Sequence, residues 1–245
     1  MLNFELVAHR GYPKRFPDNS LSGIRAAIAA GARYLEIDVQ LSTDGTVWLF
    51  HDETLERVCG TAGRLVDLDD AAINELRAAE TARLGERFAD EPVAKLADVV
   101  RLLEAAPQVF TFVEIKPVAL AVHGVLPVVE AVLAELAVLG ERAAVISFDF
   151  EALVASRERA PQHPIAPIVK DWDQVQGEAG KLEPEYLFCS VSRLPAEGLL
   201  ELAPELVVYE VVDPNLALEL GRRGAQFVET FAFPEMHDAL DLRDE

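Results

Sequence analysis

A regular alternation of apolar, strand-like runs with helix-like segments limits the fold of this chain more than any other property. Nine short apolar runs occur, and helical segments separate most of them. Alternating strands and helices are typical of a parallel sheet, because each helix returns the chain to the same end of the sheet. The chain has 245 residues, and one (β/α)8 barrel needs about 250. We therefore predict an α/β fold, a TIM (β/α)8 barrel.

The predicted elements leave one strand in excess of eight. The connection between Val39 and Val47 is too short for a helix, so we place the extra strand there. Strands are predicted at residues 6–9, 34–39, 47–50, 109–116, 143–148, 165–169, 186–190, 206–211 and 226–230. Helices are predicted at 20–31, 93–105, 121–139, 151–159, 171–180, 196–202 and 215–223. Residues 52–92 are irregular and too few to bury a core alone, so we predict one domain, 1–245, with a small cap inserted there.

The strand that begins at Tyr34 places two carboxylates on one face. Its sequence, YLEIDVQ, alternates apolar and polar residues, and successive side chains of a strand point to opposite faces. Glu36 and Asp38 therefore share a face and repel each other, so a positive group must lie between them or one must take up a proton. The next apolar run ends in His51. As a hairpin it would bring His51 roughly opposite Asp38; as a parallel neighbour it would bring His51 to the same rim.

Two further strands end in ionisable side chains. The first apolar run ends in His9 and Arg10, and the run from Val109 carries Glu114 and Lys116 on the face that also holds Phe112. Charged side chains at the carboxyl ends of barrel strands are typical of an active site. The sequence therefore predicts that these groups meet at one end of the barrel.

Composition excludes some classes of partner. Lys and Arg number 22 against 42 Asp and Glu, which gives a net charge of −20. Nucleic acids and anionic membranes need a basic face, so we predict neither as a partner. The apolar stretch 118–139 carries Glu130, Glu135 and His123, which are costly at a bilayer centre, so we predict no membrane insertion. The two cysteines form no recognisable pair, which indicates a reducing compartment and a cytoplasmic location.

The predicted cluster suits the chemistry of phosphate esters. Glu36, Asp38 and Glu114 are oxygen ligands of the kind that Mg²⁺ and Ca²⁺ prefer, with Mn²⁺ as a further candidate. Histidine titrates near neutral pH, so His9 and His51 can serve as an acid and a base. Cationic side chains such as Arg10 and Lys116 can hold phosphate oxygens. The alternatives are a structural ion pair for Arg10 and pairing with Glu114 for Lys116.

Five ordered motifs resemble those of the glycerophosphodiester phosphodiesterase family. They are AHRG at 8–11, PDNSL at 17–21, LEIDVQLSTDG at 35–45, FHD at 50–52 and VEIKP at 113–117. The resemblance implies a TIM barrel with a cap inserted after the strand that ends at His51. It also implies that one divalent metal ion is held by Glu36, Asp38 and Glu114. His9 and His51 would be the catalytic acid–base pair, and Arg10 and Lys116 would contact the substrate phosphate.

The implied reaction is hydrolysis of a small phosphodiester, such as glycerophosphocholine or glycerophosphoethanolamine, to sn-glycerol 3-phosphate and an alcohol. Alternatives are a lysophospholipase D-like or phosphoinositide phospholipase C-like enzyme, and an inactive barrel that binds phosphodiesters. The chain departs from the family pattern at Asp18, at 209–212 and at 229–231, and the last two stretches belong to the substrate end of the pocket. His123, His163 and His237 lie outside the motifs, and we predict no catalytic role for them.

Overall fold

Eight parallel strands close into a barrel in the computed structural model, which describes residues 2–175, 177–195 and 202–241. A ninth strand, β3, pairs antiparallel with β2. The strands are β1 (Glu5–His9), β2 (Tyr34–Leu41), β3 (Val47–Leu49), β4 (Phe110–Ile115), β5 (Ala143–Ser147), β6 (Ile165–Val169), β7 (Tyr186–Ser190), β8 (Glu205–Tyr209) and β9 (Phe227–Thr230). The predicted barrel is confirmed, and so is the extra strand that follows the short connection from Val39 to Val47.

Strand pairing follows chain order around the barrel. Starting at β1, the order runs through β9, β8, β7, β6, β5 and β4 to β2, and β2 pairs with β1 to close the ring. In the β2–β3 hairpin, Val39 lies opposite Leu49, and the Phe50 amide donates to the Asp38 carbonyl at 3.0 Å. His51 therefore lies one residue beyond the position opposite Asp38 and follows the end of the hairpin.

Ten α-helices cover the described parts of the chain. They are α1 (Leu21–Ala29), α2 (Glu56–Cys59), α3 (Asp70–Glu75), α4 (Thr81–Leu84), α5 (Leu96–Glu104), α6 (Pro117–His123), α7 (Val125–Leu136), α8 (Phe150–Arg159), α9 (Pro214–Arg223) and α10 (Phe233–Asp241). The sequence reading did not include α10. The helix predicted at 196–202 lies, except for its last residue, outside the described residues.

Two predicted helices were wrong. Residues 121–139 form parts of two helices rather than one, because Gly124 adopts a φ of +84° and ends α6 before α7 begins. The described residues of the range 171–180 contain 3-10 turns, at Trp172–Gln174 and from Gly180 onward, and no α-helix. The Gln174 side chain accepts from the backbone amides of Lys170 and Asp171, and glycine at 177 and 180 disfavours a helix.

Side chains of the barrel strands separate into an inner and an outer core. Leu35, Ile37 and Val39 pack outward against the helices, whereas Glu36 and Asp38 point to the other side of the strand. The inner cluster consists of Val7, Phe112, Ala144, Ile146, Ala166, Ile168, Phe188, Val207 and Phe227. This apolar interior fills the barrel, so the polar side chains of the same strands lie at the rim.

The inserted segment, residues 52–92, has a small apolar cluster that continues onto β3. Its members are Trp48, Phe50, Leu55, Val58, Leu65, Ile73, Ala78 and Val93. Trp48 and Phe50 are buried in this cluster. Burying such side chains stabilises the fold by roughly 1.5–3 kcal/mol each. The cluster holds the inserted segment against Trp48 and Phe50, next to His51.

No single helix among the described residues has both the length and the apolarity to cross a bilayer. The pair α6 and α7 reaches those thresholds only when the two helices are taken together, and they are bent by 120°.

Candidate active site

The carboxyl ends of the barrel strands surround a cavity of about 150 Å³. Six of the seven predicted site residues line it, namely His9, Arg10, Glu36, His51, Glu114 and Lys116. Asp38 is fully buried directly behind them, 3.3 Å from Lys116 and 3.1 Å from Arg10. All seven residues are therefore brought together in one site.

The backbone of the turn after β1 is strained at Arg10, whose side chain lines the cavity. Arg10 has a φ of +52°, a conformation that costs about 1–3 kcal/mol for a residue other than glycine. Gly11 follows with a φ of +84°, and a Cβ there would lie 2.8 Å from the Ile24 backbone nitrogen. Glycine is required at this position because the turn packs directly against α1.

Asp38 is the centre of a charged network. Its carboxylate accepts a hydrogen bond from the Asn19 side chain at 2.9 Å, and its backbone amide donates to the same asparagine. Arg10 and Lys116 both form ion pairs with it. Although burial opposes ionisation, Lys116 and Arg10 hold the pKa of Asp38 below its ordinary value. Asp38 is therefore a carboxylate at neutral pH.

Glu36 and Glu114 complete a group of ligand-type side chains. One oxygen each from Glu36, Asp38 and Glu114 lies within 4.8 Å of the others, close enough to hold a metal ion. Among the described residues, neither oxygen of Glu36 accepts a hydrogen bond. Burial, then the Asp38 charge, raises the pKa of Glu36 well above its ordinary value, and burial raises that of Glu114 to about 7. Unpartnered, buried oxygen donors of this kind fit a hard divalent cation.

The two cations of the site are already paired with acids. Lys116 lies 2.7 Å from Glu114, which is the pairing named as the alternative to phosphate binding. Arg10 contacts Asp18 at 3.2 Å as well as Asp38. Both side chains nevertheless line the cavity, so these ion pairs orient them toward it.

His9 is buried and lies between two carboxylates. Its Nε2 atom is 3.6 Å from Glu36 and 4.0 Å from Glu229, and its ring stacks on Phe231 at a centroid distance of 4.3 Å. Burial, then the Arg10 charge, lowers the pKa of His9 well below its ordinary value. The imidazole is therefore neutral at pH 7.

His51 is oriented by the residue that follows it. Its Nδ1 atom lies 2.8 Å from Asp52. Despite partial burial, the bonds from His51 and Arg57 hold the pKa of Asp52 below its ordinary value. Asp52 can then only accept, so Nδ1 of His51 carries the proton and donates.

Residues 229–231 were expected at the substrate end of the pocket, but Glu229 was not predicted as a site residue. Glu229 is buried at the end of β9, lines the cavity and has an oxygen without a hydrogen-bond partner among the described residues. With His9 and Glu36 it forms a second group that could hold a metal ion. Burial raises the pKa of Glu229 well above its ordinary value. The available signal was strand parity, because Glu229 is two residues from the inward-facing Phe227.

Apolar side chains form the opposite wall of the cavity. They come from β5 to β8, and they are Ile146, Phe148, Ile168, Phe188 and Tyr209. Glu210 follows β8 with a φ of +67° and also lines the cavity. One half of the site is therefore charged and the other half is largely aromatic.

The remaining histidines lie elsewhere. His163 is buried and its Nδ1 atom is 3.1 Å from the Ala143 carbonyl. His237 lies on α10, 3.3 Å from Asp241. His123 ends α6. None of the three lines the cavity at the strand ends, and the absence of a catalytic role for them stays a prediction.

Two solved structures share the fold of this chain at low sequence identity. A phosphodiesterase from Oleispira antarctica, in complex with the product sn-glycerol-3-phosphate, superposes with a TM-score of 0.87 at 22% identity and covers 97% of this chain and 96% of its own. A glycerophosphodiester phosphodiesterase from Agrobacterium tumefaciens gives a TM-score of 0.79 at 21% identity, over 96% and 99% of the two chains. At these identities the likeness establishes the TIM-barrel fold.

Relatives of higher identity match a shorter stretch. Glycerophosphodiester phosphodiesterase 1 from Homo sapiens is 38% identical over 94 residues, which are 38% of this chain and 28% of that protein. The enzyme from Caldanaerobacter subterraneus is 36% identical over 98 residues, 40% of each. The alignments thus span less than half of these relatives. The model of the glycerophosphoryl diester phosphodiesterase family matches residues 9–207, and the chain therefore belongs to that family of enzymes, as its five motifs predict.

Proposed function

We propose that the protein hydrolyses glycerophosphodiesters, such as glycerophosphocholine or glycerophosphoethanolamine, to sn-glycerol 3-phosphate and an alcohol, in a metal-dependent reaction. The observation that carries this proposal is the convergence of three carboxylates, two histidines and two cations on one cavity at the strand ends. The family and the product named for the Oleispira relative support the same choice of substrate.

Glu36, Asp38 and Glu114 are the residues that we expect to hold one divalent ion, Mg²⁺ or Ca²⁺, with Mn²⁺ as a further candidate. When bound, such an ion supplies positive charge to the non-bridging oxygens of the phosphate. The unpartnered oxygens of Glu36 support this role, because a buried carboxylate without a partner is costly.

His9 and His51 would move the protons of the reaction. One imidazole takes a proton from the attacking water molecule as the new P–O bond forms. The other gives a proton to the alcohol oxygen as the old P–O bond breaks, so the alcohol leaves neutral. Arg10 and Lys116, which stay charged, would hold the phosphate between the two rings.

The two halves of the cavity suit the two parts of a diester. The charged half, which includes Arg10 and Lys116, would hold the phosphate, and the aromatic wall would receive the organic part. The net charge of −20 opposes approach to an anionic bilayer. We therefore favour a soluble diester over the lysophospholipase D-like and phosphoinositide phospholipase C-like alternatives.

The domain and its location complete the proposal. We treat 1–245 as one catalytic domain in which the inserted segment is a cap beside His51. Cys59 and Cys189 are both free thiols, which supports a reducing compartment such as the cytoplasm. A soluble phosphodiester is the partner that we propose, with neither nucleic acid nor membrane insertion involved.

The test is hydrolysis of glycerophosphocholine by the purified protein, followed by release of choline and sn-glycerol 3-phosphate. We expect turnover with Mg²⁺, Mn²⁺ or Ca²⁺, loss after chelation, and recovery when the ion returns. Absence of turnover on every diester offered, together with retained binding, would favour the inactive barrel. Full activity after exhaustive chelation would contradict the metal requirement.

A further inference from the structure

His51 is held through a side chain of the inserted segment. Asp52 accepts from His51 Nδ1 at 2.8 Å, and Arg57 donates to both oxygens of the same Asp52, from Nε at 2.7 Å and from Nη2 at 2.8 Å. A two-point contact between a guanidinium and a carboxylate fixes the plane of the acid as well as its position. The orientation of the imidazole thus depends on a residue that does not line the cavity.

Arg57 is itself anchored on two sides. Its Nη2 atom lies 3.1 Å from Asp18, in the loop after β1, and its Nη1 atom lies 3.2 Å from Glu80. Glu80 is buried and accepts from the Asp18 backbone amide at 2.6 Å. Asp18 also contacts Arg10. One guanidinium therefore joins the inserted segment, the loop after β1 and the acid behind His51.

We propose that Arg57 is a positioning residue, which sets the imidazole of His51 for proton transfer by fixing Asp52. The inference rests on the role of His51 in the proposed function. Misplacing a catalytic group by about 1 Å can cost on the order of 100-fold in rate. Because Arg10 keeps its own contacts with Asp38 and Asp18, loss of Arg57 should lower kcat while KM changes little.

The chain offers a matched control in Arg83. Arg83 contacts the same two acids, Glu80 at 2.7 Å and Asp18 at 3.4 Å, and its other bonds go to the carbonyls of Pro13 and Phe16. Arg83→Ala therefore removes an anchor of the inserted segment without removing a donor to Asp52. If Arg57 acted only by holding the segment in place, the two alanine variants would lose activity to the same extent.

The decisive experiment compares Arg57→Ala, Arg57→Lys, Asp52→Ala and the double variant of Arg57 and Asp52 on glycerophosphocholine. We expect Arg57→Ala to lose roughly 10- to 100-fold in kcat and Arg57→Lys to recover only part, since lysine lacks the two-point fork. The double variant should be no slower than Asp52→Ala, because both changes act through one carboxylate. Arg83→Ala should stay near the parent.

Rescue by free guanidinium separates positioning from folding. The Arg57 side chain is 42% exposed, so the space left by alanine is open to solvent and a guanidinium ion can reach Asp52. Added guanidinium, far below denaturing concentrations, should raise kcat of Arg57→Ala but not of Asp52→Ala. An unchanged kcat in Arg57→Ala and Arg57→Lys, additive losses in the double variant, or an equal loss in Arg83→Ala would overturn the proposal.

A spectroscopic readout does not depend on turnover. In the parent, ¹⁵N chemical shifts of His51, recorded at a pH chosen so that the ring is neutral, should place its proton on Nδ1, and in Arg57→Ala a mixture of tautomers should appear. If the parent cleaves no diester, the proposed function fails while this spectrum still decides the role of Arg57. Identical His51 spectra in the parent and in both Arg57 variants would contradict that role.

Discussion

The Glu229 carboxylate lies 4.0 Å from Nε2 of His9, and Glu36 lies 3.6 Å from the same atom. All three side chains are buried, and among the described residues Glu36 and one oxygen of Glu229 accept no hydrogen bond. Two buried acids thus flank one neutral imidazole. Burial raises the pKa of both acids, and the Glu229 charge further opposes ionisation of Glu36, so without a metal ion both carboxyls favour the protonated form.

Glu229→Gln should stabilise the metal-free protein at high pH. The raised folded-state pKa of Glu229 means that its contribution to stability is fully present below the unfolded value, about 4.5. That contribution is lost as pH rises through the folded-state pKa. Glutamine does not titrate, so the difference in Tm between variant and parent should be small at pH 5 and should grow toward pH 8.

The comparison is made by thermal unfolding in a chelator across that pH range. Because the lowered pKa of His9 acts in the opposite direction, the difference between variant and parent is more informative than either curve. Glu219→Gln, at an acid paired with Arg223 on the surface, serves as the control and should show no trend. A difference that stays constant from pH 5 to 8 would contradict the raised pKa.

A divalent cation should stabilise the fold by binding to the acids of the site. At a concentration of about 100 times Kd, a ligand that binds only the folded state adds about 2.7 kcal/mol. We expect Mg²⁺ or Ca²⁺ to raise Tm in the parent, and Glu36→Gln and Asp38→Asn to lose most of that rise. Glu130→Gln, at an exposed pair with Arg159, should keep it. Equal shifts in all variants would place the cation elsewhere.

His9→Ala and His51→Ala should each lose most of kcat while remaining folded. A positioned acid or base contributes roughly 10²- to 10⁴-fold. A nitrophenyl diester, whose leaving group needs no protonation, identifies the acid: the variant that recovers on this substrate lacks the acid, and the other lacks the base. His237→Ala should behave like the parent. Near-parental kcat in either of the first two variants would refute the assignment.

Gly11→Ala should destabilise the protein more than Gly31→Ala. Both glycines have positive φ, +84° and +96°, but a Cβ at Gly11 would meet the Ile24 backbone at 2.8 Å, whereas a Cβ at Gly31 meets nothing within 4 Å. The left-handed φ alone costs about 1–2 kcal/mol, and the clash adds to it at Gly11 only. Urea unfolding of both variants measures the difference, and equal losses would show that the turn after β1 can shift.

Soluble glycerophosphodiesters should be cleaved with higher kcat/KM than lysophospholipids in vesicles. The net charge of −20 opposes approach to an anionic bilayer. Competition between glycerophosphocholine and vesicle-borne lysophosphatidylcholine measures the preference. Neutral vesicles serve as the control for charge, and preferential cleavage of the lipid in both kinds of vesicle would favour the lysophospholipase D-like alternative.

The barrel and seven residues of the site could be predicted because each depends on local pattern. Strand parity places Glu36 with Asp38 and Glu114 with Lys116, and parallel strands bring their carboxyl ends to one rim whatever the details of packing. The extra strand could be predicted because the connection between Val39 and Val47 is too short to contain a helix. The prediction of one long helix at 121–139 was wrong for an equally local reason. Gly124 adopts a positive φ, and the apolar composition on which the prediction was based does not reveal that conformation.

Only the tertiary structure decided which neighbours these residues have. Glu229 is far from His9 in the chain, and barrel closure between β9 and β1 brings them together. Arg57 contacts both Asp52 and Asp18 because the inserted segment folds back to the loop after β1. The irregular sequence of the segment does not reveal this path. Lys116 lies 2.7 Å from Glu114. Both side chains are buried, so each charged group is paired with a nearby group of opposite charge rather than with water. Sequence thus determined which groups reach the rim, and packing determined how they are paired.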